Sequence, residues 1–294
     1  MRREMEVNMK SLGLALGGGG LKGLAHIGVL QVLEENSIPI SAISGTSAGS
    51  IVAALYASGL SPWRMQELAM QLEVKDYIDY DIVALTKFFW ALLLPGVKTR
   101  LDGLVKGDKL EKLLYKWTRG KTLAESRIPL SIIACDIDSG QEIIFTNQNM
   151  EVTGPRLVIK EALLSEAVRA STSIPATFVP LQFRGMQMVD GGVKEMVPVE
   201  VQKVMGVGYI LSVNLGRESY AEKVTGITQI VSRSLNIMSY ETSATAEALF
   251  ADLVIHPRVK AVRLDDIEQA ERIIRAGRRA AKAKIDEIKR GLED

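Results

Sequence analysis

Residues Gly45-Thr46-Ser47-Ala48-Gly49 follow the pattern G-x-S-x-G. A serine in that pattern becomes a nucleophile when a strand ends just before it and a helix begins just after it, because the sharp turn lifts its hydroxyl above the sheet. Glycine is needed at 45 and 49, where a side chain would run into the neighbouring helix and strand. The helix that follows also directs its positive end at the serine. Ser47 is therefore the candidate nucleophile, and a serine nucleophile needs a base.

The supply of histidine is poor. The chain holds two, His26 and His256. His26 falls on a helix just behind a glycine-rich loop, and His256 ends a strand before Pro257, so both read as structural or surface residues. Asp190 is the better candidate. It ends the predicted strand MQMVD, and Gly191-Gly192 turns the chain after it. That brings a carboxylate to the C-terminal edge of the sheet, where open α/β sheets bind their ligands. Taken alone, Asp-Gly-Gly is more often a turn than a site.

A third group of residues carries chemistry in LALGGGGLKGLAHIG, residues 14–28, where Gly18, Gly20 and Gly23 fit G-x-G-x-x-G. A dinucleotide site would add an acidic residue about 20 positions further on, at the end of the second strand. Here that strand runs into the serine turn, and Glu34 and Glu35 sit in the preceding helix. A phosphate loop of the Walker type needs Gly-Lys-Ser/Thr, and Lys22 is followed by Gly23. Two readings stay open: a tight structural turn, or an oxyanion hole whose N–H groups stabilise charge on a carbonyl oxygen during acyl transfer.

The elements that must position these groups alternate. SLGLAL reads as a buried strand, 23–35 as a helix stopped at Asn36, SAIS as a strand, and 48–58 as a small-residue helix ended by Gly59. Ser61-Pro62 reads as an N-cap followed by proline at the first helical position. Further strands are expected at 130–137, 186–190, 209–215 and 252–257, with helical patterns between several of them. The expected fold is α/β: a mostly parallel central sheet with helices on both faces. Asp265 and Glu268 stand at capping-box spacing. Ile267, Ala270, Ile274, Ala281, Ile285 and Ile288 then mark one face of a long basic helix packed on the core.

The 294 residues are 47% hydrophobic and 24% charged, as in a folded protein with a full core. A net charge of +1 argues against a nucleic-acid partner. Cys135 is the one cysteine, so an intrachain disulfide is excluded, and it reads as a core residue. Two histidines argue against a histidine-rich metal site. The charged start, the shortness of LGLAL and the lack of about 18 consecutive apolar residues predict a cytoplasmic protein without signal or span. A homo-oligomer is compatible with the sequence.

The three motifs, in this order, resemble those of the patatin-like phospholipases. They stand here as GGGGLKG, GTSAG and DGG, and a fourth block, RASTSIPATFVP (169–180), is similar to the family's A-S-x-x-x-P segment through Ala170, Ser171 and Pro175. The likeness spans about 12–260, within one patatin-like three-layer domain over 1–294 that closes with a helix at about 265–290. It implies a Ser–Asp dyad with Ser47 as nucleophile and Asp190 as base. It places Gly18, Gly19 and Gly20 around the oxyanion, with help from the Ala48 N–H, and makes Gly23, Gly45, Gly49, Gly191 and Gly192 motif glycines. The position after the loop glycines is often arginine in the family. Here it is Lys22, a candidate anion contact that keeps the charge and loses bidentate recognition.

The implied reaction is hydrolysis of a carboxylic ester of a phospholipid or other acyl lipid through an acyl-serine, with neither cofactor nor metal. TKFFWALLLPGVKTR, residues 86–100, sets Phe88, Phe89 and Trp90 between cations. It reads as an interfacial segment giving peripheral membrane contact, as a mobile cap over an acyl groove, or as a buried helix. A non-catalytic lipid-binding or adaptor protein on the same fold is the alternative function. Retention of serine, aspartate and glycines together argues against it.

Overall fold

The structure, a computed structural model, describes residues 9–83, 86, 102–216, 223–260 and 262–293. The apolar run after Ser11 forms β1 (Leu12–Leu16), buried along its whole length. The glycine loop and a short 3-10 turn lead into α1 (Leu24–Glu35), capped by Asn36 as its sequence predicts. Then follow β2 (Ile40–Thr46) and α2 (Ala48–Ser58), whose end Gly59 closes in the left-handed conformation. In α3 (Pro62–Met70) the Ser61 hydroxyl accepts the Arg64 N–H and proline occupies the first turn, again as predicted. One turn of helix, α4 (Val74–Tyr77), and the longer α5 (Asp108–Thr118) come next.

The second half adds β3 (Leu130–Asp136), β4 (Glu142–Thr146), β5 (Arg156–Ile159), α6 (Leu164–Ser171), β6 (Leu181–Phe183) and β7 (Met186–Asp190). It ends with α7 (Glu200–Val204), β8 (Tyr209–Val213), α8 (Ile227–Phe250), β9 (Leu253–Ile255), α9 (Ala270–Lys282) and α10 (Ile285–Glu293). The nine strands among the described residues join one sheet of order β5-β4-β3-β2-β1-β8-β9, with β7 also paired to β3 and β6 to β7. The pairs through β3-β2-β1-β8-β9 are parallel, as is β4–β5. The departures gather around β3, which pairs antiparallel with β4 and β7. The link from β3 to β4 is a tight turn closed by the Gly140 N–H on the Asp136 carbonyl at 2.8 Å, too short for a crossover.

Side-chain alternation along the strands assigns the two faces. Leu14, Leu16, Leu211 and Val213 enter the large core with α1, α2, α5, α6 and α9, whereas Ala15 and Ile210 pack with Val197 and with Tyr240 of α8. Ile133 and Ile144 meet Val201 of α7 on that second face. The mostly parallel sheet therefore carries helices on both sides, as expected from the sequence.

The C-terminal segment packs on the core but differs from the single long helix expected. It begins with a 3-10 turn (Ile267–Gln269), continues as α9 and breaks at Ala283–Lys284 before α10. The capping box does not form. Asp265 is drawn to the Arg263 guanidinium at 3.0 Å, and the Asp266 carboxylate accepts the Arg263 N–H at 2.8 Å. What docks the segment is backbone contact. A Cβ at Gly28 of α1 would lie 2.1 Å from the Ile274 carbonyl oxygen, and one at Gly277 of α9 would lie 1.8 Å from that of Ala25. Cys135 is buried in β3.

Candidate active site

Ser47 occupies the single residue between β2 and α2. Its backbone, at φ 52° and ψ −126°, lies outside the regions that L-residues favour, at a cost of order 1–3 kcal/mol. The glycines flanking it explain how the chain tolerates the turn. A Cβ at Gly45 would stand 2.5 Å from the Gly49 carbonyl oxygen of α2, and one at Gly49 would stand 2.0 Å from the Leu16 carbonyl oxygen of β1. These are the helix and strand collisions that the G-x-S-x-G spacing foretells.

A second support was not evident in the sequence. The Ser47 N–H donates to Ser171 Oγ at 2.8 Å, and that hydroxyl donates to the Ile133 carbonyl at 2.5 Å. Ser171 thus ties the turn to β3 from the last residue of α6. The only signal was its place in the block RASTSIPATFVP.

Asp190 reaches the same point from the other direction. As the last residue of β7 it pairs with Ala134 of β3, one residue beyond the pairing of Ile133 with Thr46. The carboxylate therefore arrives at the C-terminal edge of β2 and β3, as expected, although its own strand runs antiparallel to them. The Asp190 N–H donates to the Ser173 carbonyl at 2.9 Å, and Oδ1 accepts the Gly192 N–H at 2.7 Å. Burial raises the Asp190 pKa from 3.8 to about 6, against the opposing hydrogen bonds from the Ser47 side chain and Gly192. The Ser47 side chain thus stands within hydrogen-bonding reach of the Asp190 carboxylate.

The glycine loop divides its labour. The Gly18 N–H is taken up by the Met196 carbonyl at 2.9 Å. Gly19 and Gly20 both adopt positive φ, at 152° and 57°. Gly20 and Gly23 line the cavity beside Ser47 and Ala48. Ala48 is the first residue of α2, where the N–H has no intrahelical acceptor. Gly20 and Ala48 thus stand with Ser47 in the cavity wall, and Gly19 precedes them in the loop. Lys22 is buried in the 3-10 turn and is not part of the cavity wall.

Neither histidine joins this group. His26 is fully buried, and its Nε2 donates to the Gly17 carbonyl at 2.7 Å, clamping α1 to the start of the glycine loop. Burial lowers its pKa to about 4, so the ring is neutral. His256 is exposed at the end of β9.

Below Ser47 lies a cavity of about 150 Å³, open to solvent and walled almost entirely by apolar side chains. Ala48, Ile51, Val52 and Leu55 of α2 form one side, Met65 and Ala69 of α3 another, and Leu110, Leu114 and Trp117 of α5 a third. Phe178, Ile174 and Leu264 stand at the end near the serine, where the Tyr77 hydroxyl donates to the Leu264 carbonyl at 2.6 Å. Phe88, Phe89 and Trp90 lie outside the described residues. Among those that are described, no helix is long and apolar enough to cross a membrane, and no cluster of three His, Cys, Asp or Glu side chains forms a metal site.

The family model for Patatin-like phospholipase matches residues 14–201. An uncharacterized NTE family protein of Mycobacterium tuberculosis is 26% identical over 302 residues, covering 94% of this chain and 46% of that protein. Lysophospholipase NTE1 of Candida albicans is 26% identical over 246 residues, covering 79% of this chain and 15% of that protein. The chain spans less than half the length of these two relatives. Among solved structures, VipD from Legionella pneumophila matches 95% of this chain and 67% of its own, with a TM-score of 0.46 and 14% identity. Human GIVD cytosolic phospholipase A2 matches 99% of this chain and 60% of its own, with a TM-score of 0.46 and 12% identity.

Proposed function

The chain belongs to the patatin-like phospholipase family, and from that premise we propose that it hydrolyses carboxylic esters of lipids with a Ser47–Asp190 dyad. Asp190 accepts the Ser47 hydroxyl proton as Oγ attacks the ester carbonyl carbon. The carbonyl oxygen becomes an oxyanion held by the N–H groups of Gly19, Gly20 and Ala48. As the tetrahedral intermediate collapses, the carbon–oxygen bond to the alcohol breaks and Asp190 returns the proton to the departing alkoxide. Water then attacks the acyl-serine with Asp190 again accepting a proton. Collapse releases the fatty acid, and Asp190 gives the proton back to Ser47 Oγ.

One observation carries this reading: a buried carboxylate within hydrogen-bonding reach of a strained serine at the head of an apolar cavity. The cavity suits an acyl chain, and each buried CH₂ contributes about 0.8 kcal/mol. A phospholipid or lysophospholipid is the proposed substrate class, in keeping with the name of the Candida albicans relative. The same cavity would serve a lipid carrier that does not turn over, but a carrier has no use for a carboxylate buried at a cost against a serine.

A fluorophosphonate probe and a mixed-lipid extract test the two readings together. The wild-type protein should be labelled at Ser47 and should release fatty acid from the extract, and Ser47→Ala should do neither. Labelling that persists in Ser47→Ala removes the nucleophile assignment. Lipid retention without any release of fatty acid supports the carrier.

A further inference from the structure

The apolar cavity has a flank that the dyad does not use. α2 and α5 run in the same direction along it. At their far ends Lys121 Nζ donates to the Ser58 carbonyl at 2.8 Å. At their near ends Gly107 backs onto Arg169, whose guanidinium donates to Ser173 Oγ at 2.5 Å, and the Ser173 carbonyl holds the Asp190 N–H. The cavity between these helices therefore extends from Ser47 to Leu55 and Trp117, which at 1.5 Å per residue is about 12 Å.

On its outer side α5 scarcely touches α3. Between the two helices is an open cleft of about 460 Å³, and Leu72, Leu113 and Trp117 belong both to this cleft and to the cavity wall. Among the described residues, these three apolar side chains are shared by the cavity and the outer cleft. The cleft is lined on its α5 side by Lys109, Lys112 and Lys116, exposed and spaced to fall on one helical face. Asp76 is the one acidic side chain in the lining, and its carboxylate accepts the Glu73 N–H at 2.9 Å. Lys109 Nζ donates to the Lys75 carbonyl at 2.8 Å, which leaves the row net cationic.

We propose that the α3–α5 cleft is a lateral portal for lipid: α5 rests on an anionic bilayer with Lys109, Lys112 and Lys116 among the phosphates, and an acyl chain passes Leu72, Leu113 and Trp117 into the cavity below Ser47. The partner follows from the chemistry of the cleft. A cationic row flanking an apolar opening complements a surface that presents phosphates above hydrocarbon. The passage of the chain rests on the reading of the cavity as an acyl site, whereas the docking of α5 stands independently of hydrolysis.

The test uses the Ser47→Ala protein, so that no product accumulates and binding is read whether or not the chain is a hydrolase. Sedimentation with vesicles of phosphatidylcholine alone, and of equal parts phosphatidylcholine and phosphatidylglycerol, measures docking. A lysine near an anionic surface is worth roughly fivefold in partitioning. Lys112→Glu with Lys116→Glu should therefore weaken binding to the anionic vesicles by about 25-fold or more at unchanged melting temperature. If that pair unfolds the protein, Lys112→Gln with Lys116→Gln should give a loss of about 25-fold.

Passage is read by fluorescence. With Trp63→Phe and Trp90→Phe, Trp117 is the one tryptophan left, and lipids brominated along the acyl chain should quench it in anionic vesicles. Equal binding to both vesicle types, no binding to either, or binding indifferent to the lysines overturns the proposal. So does a Trp117 that stays unquenched in the bound protein while a protein retaining Trp90 alone is quenched, since the bilayer then meets residues 86–100. Quenching of Trp117 in Ser47→Ala, together with a protein carrying Ser47 that releases no fatty acid from the mixed-lipid extract, keeps the portal and removes the hydrolase reading.

Discussion

Replacing Asp190 with asparagine should abolish turnover and at the same time stabilise the fold. The carboxylate is 5% exposed, and its pKa rises from 3.8 to about 6 because the folded protein disfavours the charge. A group with a raised folded pKa favours folding most when protonated, so its cost is nearly absent below pH about 4, grows between about 4 and 6 and is constant above. At 1.36 kcal/mol per unit, the shift of about two units amounts to roughly 3 kcal/mol at pH 8 and roughly half a kcal/mol at pH 4. Asparagine keeps the shape and the acceptor for the Gly192 N–H but carries no charge. Asp190→Asn should therefore melt several degrees above the wild type at pH 8, at about 2 °C per kcal/mol, and nearly with it at pH 4. Hydrolysis of a short soluble ester should fall about 100- to 10,000-fold, the usual contribution of a general base. The wild-type rate should rise with pH through an apparent pKa near 6. Calorimetric or fluorescence melts across pH, beside the ester assay, check both halves. A melting difference that does not change with pH would show that no buried charge sits at Asp190, and turnover retained in Asp190→Asn would remove it as the base.

Ser171→Ala should orphan the Ser47 N–H and the Ile133 carbonyl, each buried group costing about 1–3 kcal/mol, and slow fluorophosphonate labelling of Ser47 more than it lowers lipid binding. Labelling kinetics at wild-type speed would remove Ser171 as a positioning residue. His26→Gln should leave the pH limb near 6 in place, because His26, with its pKa lowered to about 4, does not titrate there. Loss of that limb would transfer it from Asp190 to the histidine. Gly277→Val should destabilise the fold by about 2 kcal/mol or more by forcing α9 off the Ala25 carbonyl, as denaturant melts would show, and an unchanged midpoint would contradict the close crossing of α1 and α9.

What the sequence by itself determined is what neighbours along the chain decide. The serine turn was legible because Gly45 and Gly49 answer to contacts made within the same β2-turn-α2 unit, apart from the strand β1 that lies against it. The ends of α2 and α3 were legible for the same reason, since Gly59 and Ser61 satisfy orphan helix groups one turn away. The candidate dyad was legible as a pair of motifs, and the tertiary structure decided that they meet. Asp190 comes to Ser47 on a strand antiparallel to β3, and no local pattern distinguishes that pairing from a parallel one. The capping box at Asp265 and Glu268 failed because Arg263, two positions away in sequence, drew the Asp265 carboxylate. Gly18 looked the same as Gly19 and Gly20 in a run of four glycines, and only the tertiary structure gave its amide a partner, the Met196 carbonyl, 178 positions away in the chain. Propensity and periodicity report the interactions of a residue with its own turn or strand. A buried polar group is satisfied by whichever segment the fold brings within about 3 Å, and that partner is fixed only when the sheet has closed its order.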